Sequence, residues 1–136
     1  MNHNEILYKE ECYQIQGAII DVHKEMGSGF LAEVYQECME RELALRQIPF
    51  ESQKYLELFY KGKPLSKRYV PDLVCYGKII VEIKAVKAVM PEHKAQLINY
   101  LKATSMKLGI IVNFGAYPKA DTIRIANSNF KSFNRE

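Results

Sequence analysis

The chain of 136 residues has no tryptophan, three cysteines, five prolines and seven glycines. It also lacks any long apolar run. A transmembrane helix needs ~20 consecutive apolar residues, and the longest candidates here, such as Ile79-Ile80-Val81, are strand-sized, so no membrane partner is expected. Cys12, Cys38 and Cys75 are odd in number, far apart and flanked by apolar residues. They have neither the close pairing of a zinc site nor the density of a disulfide scaffold. Buried, reduced thiols in a cytoplasmic protein are the expectation. The opening MNHNEILYKEEC is polar and acidic, unlike a secretion signal. No Pro/Gly/Ser-rich linker and no internal repeat divides the chain. One domain over 1–136 is expected, with a core of about 15–126 and a polar tail of 127–136. No charge sign dominates: 19 Lys and Arg against 16 Asp and Glu leave +3, with a pI near 8.7. That balance permits a nucleic-acid partner without requiring one. What is present, 48% hydrophobic and 26% charged residues, suits a folded domain with its own core and excludes disorder.

Periodicity supplies the elements. Tyr8, Cys12, Ile15, Ile19, Val22 and Met26 recur every three or four residues, predicting a helix over 4–26 that Gly27 and Gly29 stop. A second helix is expected over 30–46, with Leu31, Val34, Tyr35, Cys38 and Leu45 on one side, closed by Ile48-Pro49. After Pro49 the pattern turns to strands at 54–61, 66–76 and 79–84, with turn signals at Gly62-Lys63-Pro64 and Gly77. Pro91 suits the first turn of a helix over 91–105. The apolar run 109–114 reads as a strand covered on both faces, and 121–126 as an edge strand. The order ααβββαββ defines an α/β fold, a central mixed β-sheet flanked by helices.

The chemistry concentrates in Pro71-Asp72 and, ten residues on, Glu82-Ile83-Lys84. Alternation puts Glu82 and Lys84 on one face of the strand and Ile79, Val81 and Ile83 on the other. Two ionisable groups on so apolar a strand are either a surface pair on a half-exposed sheet or a site. Asp72 bears on that choice. A three-residue loop of Tyr76–Lys78 places Asp72 directly across from Glu82, where Cβ atoms are ~5 Å apart; a two-residue loop sends it to the other face. Two carboxylates that close repel unless a cation lies between them, and Mg²⁺ favours such oxygens. On the 91–105 helix, His93, Gln96 and Tyr100 share a face, with Leu97, Ile98 and Leu101 on the core side.

PD-x(9)-E-x-K, here Pro71-Asp72 followed by Glu82-Ile83-Lys84, resembles the signature of the PD-(D/E)XK nuclease superfamily. VHKEMGSGF, VYQECMEREL, KYLELFYKGKPL, YVPDLVC, VEIKAV, HKAQLINYLKA and KLGIIVNFG resemble, in order, the blocks of its GxxExxY family over about 15–115. The resemblance implies a restriction-endonuclease-like core and a nuclease that hydrolyses DNA or RNA with Mg²⁺ or Mn²⁺. It implies that Asp72, Glu82 and the Ile83 carbonyl hold the metal. Lys84 would serve the attacking water and the charge growing on the phosphate. Gln-x-x-x-Tyr, here Gln96 and Tyr100, resembles a motif of bacterial recombination helicase–nucleases that lies beside the metal and assists there. Lys61, Lys63, Lys67, Arg68, Lys87 and Lys94 form a loose basic margin for phosphates. A homodimer is an option the resemblance leaves open.

One position departs from the family pattern. Aligning Gly-x-x-Glu-x-x-Tyr on Gly29 and Tyr35 puts Ala32 where the glutamate belongs. Glu33 is adjacent, but at 100° per residue it is expected on the opposite, solvated face. Glu42 falls within the apolar stripe and should have a partner. Three functions follow: a metal-dependent phosphodiesterase; a weakened or inactive nuclease-fold module that binds nucleic acid or a protein partner; and a structural subunit with intersubunit ion pairs.

Overall fold

A computed structural model describes residues 6–127. Helices α1 (Lys9–Met26) and α2 (Ala32–Leu45) come first, then strands β1 (Phe50–Ser52), β2 (Leu56–Tyr60), β3 (Lys63–Tyr69), β4 (Leu73–Cys75) and β5 (Ile79–Lys84). Helix α3 (Pro91–Thr104) and strands β6 (Leu108–Asn113) and β7 (Asp121–Ala126) complete the chain. Five strands form one sheet in the order β1-β4-β5-β6-β7, while β2 and β3 form a separate two-stranded ribbon. In the sheet β5 and β6 run parallel, joined through α3, and the other neighbours are antiparallel. The sheet is therefore mixed and flanked by helices, as expected.

The strands buried on both faces are the apolar ones. Ile79, Val81, Ile83, Leu108, Ile110 and Val112 turn to α1 and α2, where they meet Ile15, Ile19, Val22, Tyr35, Met39 and Leu43. Ile80 and Ile111 turn the other way, to Leu97 and Leu101 of α3 and to Tyr69. Gly109 shows how closely α3 lies on the sheet: a Cβ there would stand 2.8 Å from Leu97 Cδ2.

Three expectations need correction. Residues 66–76 are not one strand: Pro71 carries no N–H for a ladder and Asp72 bends the chain, so Lys63–Tyr69 joins the ribbon and Leu73–Cys75 the sheet. β1, only three residues long and alongside β4, carried no periodic signal. The buried stripe of α2 is Tyr35, Met39 and Leu43, whereas Leu31 and Leu45 are exposed. The expected first helix begins at Lys9, and its residues 4–5, like tail residues 128–136, lie outside the described residues.

Candidate active site

The turn between β4 and β5 sets the site. Cys75 pairs with Ile79, which closes the three-residue loop Tyr76–Lys78; Tyr76 and Gly77 both take positive φ there. Leu73 pairs with Val81, so the next step of the ladder brings Asp72 across from Glu82. Side chain and backbone interlock at this step. The Asp72 N–H donates to Glu82 Oε1 at 3.0 Å, and the Ile83 N–H donates to Asp72 Oδ2 at 2.7 Å.

Each carboxylate is anchored from a different side. The Tyr69 hydroxyl donates to Glu82 Oε2, and the Tyr69 ring is stacked on Tyr100 of α3 with centroids 3.8 Å apart and planes 4° from parallel. Burial, followed by the Glu82 charge, holds the Tyr69 phenol protonated far above its ordinary range, so it serves as a donor. Asp72 is fixed through its carbonyl, which accepts from Gln36 Nε2 of α2 at 2.9 Å and from the Gln53 N–H at 3.2 Å. Gln36 Nε2 also reaches Glu40, which in turn accepts from Ser52 Oγ. Gln36 and Tyr69 escaped the sequence reading. Gln36 was legible only as one of the polar positions 33, 36 and 40 along one edge of α2, and Tyr69 only as the first letter of YVPD.

Electrostatics at the pair is that of two acids held together. Burial raises the Glu82 carboxyl above the usual carboxylate range. Its bonds to Tyr69 and to the Asp72 amide oppose the rise, and the adjacent Asp72 carboxylate adds to it. A cation can take the place of the proton that such a pair favours. The donor set suits a hard ion: two carboxylates, each with lone pairs to spare, and the Ile83 carbonyl. In a strand, a residue's N–H and C=O point to the same side. The Ile83 carbonyl therefore points with its N–H toward Asp72, while the next carbonyl, Lys84, accepts from the Phe114 N–H on the β6 side. Among the described residues no cluster of three or more His, Cys, Asp or Glu side chains forms.

A recess of about 190 Å³ opens beside Asp72, lined by Ala32, Glu33, Gln36, Gln53 and Ile83. Glu33 is exposed, as expected, and also lines the rim of this recess. Glu42 does have a partner, Arg46 at 2.8 Å, and Arg46 continues to Asp21 of α1; the group is a tie between helices, remote from Asp72.

Lys84 follows Glu82 on the same face of β5 and is half-buried; among the described residues its ammonium has no ion-pair or hydrogen-bond partner. Asn113, across from Lys84 on β6, is buried and clamps the chain that leaves β5. Its Oδ1 accepts from the Val86 and Gly115 amides and its Nδ2 donates to the Val86 carbonyl. A polar residue ending the apolar run LGIIVN was the available signal. On α3 the expected trio separates. Tyr100 reaches Glu82 through Tyr69, Gln96 is exposed without a side-chain partner among the described residues, and His93 Nδ1 caps the helix by accepting the Met90 N–H at 3.0 Å.

Comparison with known proteins shows the family and the fold. The fold is that of PD-(D/E)XK-type nucleases. Residues 9–125 match the PD-(D/E)XK nuclease superfamily, and the chain belongs to it. An alkaline exonuclease from Laribacter hongkongensis, LHK-Exo, superimposes with a TM-score of 0.51 at 12% identity, over 98% of this chain and 76% of that one. The same exonuclease in complex with dAMP gives 0.53 at 12% identity, over 76% and 60%. The protein SSO0001 gives 0.53 at 21% identity, over 88% and 57%. The chain thus spans about 60% of the length of the dAMP complex's chain and of SSO0001. No curated protein matches the sequence significantly. No helix among the described residues is long and apolar enough to cross a membrane.

Proposed function

We propose that this chain is a divalent-metal-dependent nuclease of the GxxExxY type, a single cytoplasmic domain that hydrolyses phosphodiester bonds of DNA or RNA. The observation that carries it is the Asp72–Glu82 pair, interlocked across β4 and β5 and followed two residues later by a lysine on the Glu82 face with no ion pair among the described residues. Asp72, Glu82 and the Ile83 carbonyl are the metal-holding groups, with Mg²⁺ or Mn²⁺ as the ion. When bound, such an ion supplies a Lewis acid at the phosphate and eases deprotonation of water. Lys84 offers its ammonium to the charge that grows on the phosphate and orients the attacking water. Tyr69 keeps Glu82 in place, Tyr100 backs Tyr69, and Gln36 keeps Asp72 in place.

The test is cleavage of plasmid and single-stranded substrates with Mg²⁺ or Mn²⁺ and then with EDTA, for the wild type, Lys84→Ala and Glu82→Ala. Metal-dependent cleavage lost in both variants, with the fold retained by circular dichroism, is the expected result. Cleavage that survives both substitutions sinks the assignment. A second reading, a module that binds nucleic acid or a protein without cutting, is favoured by Ala32 and by the absence of a third acid clustered with the pair among the described residues. It predicts salt-dependent binding with no cleavage. Pairing of two copies would let so small a domain cut both strands.

A further inference from the structure

The β2–β3 ribbon does little for the core. Leu56, Leu58 and Tyr69 anchor it against α3 and the sheet, but every residue from Lys63 to Arg68 is exposed. Two strands alone are marginal in water, so an exposed ribbon kept on a small domain calls for a reason. Its composition supplies one. Between Leu56 and Tyr69 stand Lys61, Lys63, Lys67 and Arg68 against one acid, Glu57. Four cations against one carboxylate leave +3, equal to the formal charge of the whole chain. None of the four makes an ion pair among the described residues, although Arg68 is paired in register with Glu57.

Aromatic rings stand beside these charges. Tyr55 and Tyr60 are each 64% exposed and Phe59 47%. Tyr60 lies opposite Lys63 and Phe59 opposite Pro64, and the Lys61 ammonium sits 5.5 Å over the Tyr60 ring. The tip is a two-residue turn, Lys61-Gly62, with both residues at positive φ. The tight turn holds Lys61 at the extremity despite the cost of that conformation for a non-glycine residue. At its other end the ribbon runs directly into the site, since Tyr69 bonds Glu82 and Asp72 follows three residues later. From Lys63 to Tyr69 the strand covers roughly 20 Å at ~3.3 Å per residue, the length of several nucleotides.

We propose that the β2–β3 ribbon is a rail for a single-stranded stretch of nucleic acid, whose bases stack on Tyr60, the ring that shares a face with Lys63, and whose phosphates meet Lys61, Lys63, Lys67 and Arg68 as the strand enters the Asp72–Glu82 site. The proposal rests on the nuclease reading and names its substrate class. Exposed rings select single strands, because paired bases present no free face, while the cations serve any backbone.

The test is fluorescence anisotropy with a labelled oligonucleotide, single-stranded and then duplexed, in EDTA so that nothing is cut. Wild type should bind the single strand more tightly than the duplex. Tyr60→Ala should weaken single-strand binding about tenfold, as loss of base stacking does, with the salt slope kept. Lys61→Gln/Lys63→Gln should lower the salt slope by roughly 1.4, the value for two phosphate contacts on a single strand. All three positions are exposed, and an unchanged melting temperature confirms the fold. Both variants binding like wild type, a duplex bound as well as the single strand, or a wild type that binds neither would each overturn the rail. Wild type that binds through the ribbon but never cuts with Mg²⁺ or Mn²⁺ defeats the hydrolytic reading alone. Wild type that cuts single strands, with ribbon variants that bind and cut equally well, defeats the rail alone.

Discussion

On the α1/α2 side of the sheet, apolar side chains interdigitate and the polar groups are fasteners. The Tyr35 hydroxyl donates to the Gly27 carbonyl, the Tyr35 ring is stacked on Phe114 with centroids 4.5 Å apart, and Arg46 ties the two helices together. On the α3 side the apolar cluster is small, and it borders a buried phenol, a half-buried carboxyl and a half-buried lysine. Both sides contain a buried tyrosine stacked on an aromatic neighbour. Tyr35 spends its hydroxyl on a loop carbonyl, which is purely structural, while Tyr69 spends its hydroxyl on a carboxylate. The same residue type closes a helix–helix corner on one face and positions a charge on the other.

Substitutions matched across the two faces test that contrast. The largest effect is expected for Lys84→Ala, a loss of roughly 10²–10³ in cleavage rate, the scale of removing one electrostatic stabiliser, with an unchanged melting curve. Met39→Ala on the opposite face should cost about 2–5 kcal/mol in denaturant unfolding, with normal activity per folded molecule. If Met39→Ala instead abolishes activity while staying folded, the two faces are not separate in function. Tyr69→Phe removes the donor to Glu82 but keeps the ring; metal affinity by calorimetry should fall several-fold, whereas Tyr35→Phe should leave it unchanged.

A smaller effect concerns stability and pH. Burial raises the Glu82 carboxyl from its ordinary 4.5, so folding favours its protonated form. Its contribution is complete below the unfolded value and is lost as pH rises through the raised folded value. Glu82→Gln should therefore raise the melting temperature of metal-free protein at neutral pH, by on the order of a few °C. The variant should also flatten the decline above pH 4.5 and remove any further stabilisation by Mg²⁺. Wild type and variant melting alike across the pH range would show that the pair carries no such cost. The smallest effect belongs to Gln96→Ala, under twofold in rate, because nothing among the described residues joins that side chain to Glu82.

Much of this was legible in the sequence wherever one period ruled. Helix α3, the apolar strand β6 and the edge strand β7 follow from spacing alone, and the Gly77 turn left two registers, of which the structure has the one that brings Asp72 to Glu82. Short and interrupted elements were not legible. Three residues of β1 hold no period, and a break at Pro71 separates two strands that share a β-like composition. Supporting groups were hidden for another reason. Gln36, Tyr69 and Asn113 act through contacts distant in sequence, and such pairings leave no local pattern. The wheel put Glu33 in solvent, where it is, but could not show that the recess beside Asp72 lies next to it.

Cys75 lies in β4, three residues after Asp72, fully buried, its thiol pushed up to about 12 by burial. Cys12 and Cys38 are half-buried. The thiolate is the reactive form, so Cys75 reacts with an alkylating reagent only after β4 parts from its neighbours. Its labelling rate is thus a clock for opening of the central sheet, read by mass spectrometry under native conditions. A ligand that bridges Asp72 and Glu82 clasps β4 to β5, and the clock should slow in proportion to its occupancy. The chain carries its own occupancy gauge, independent of catalysis.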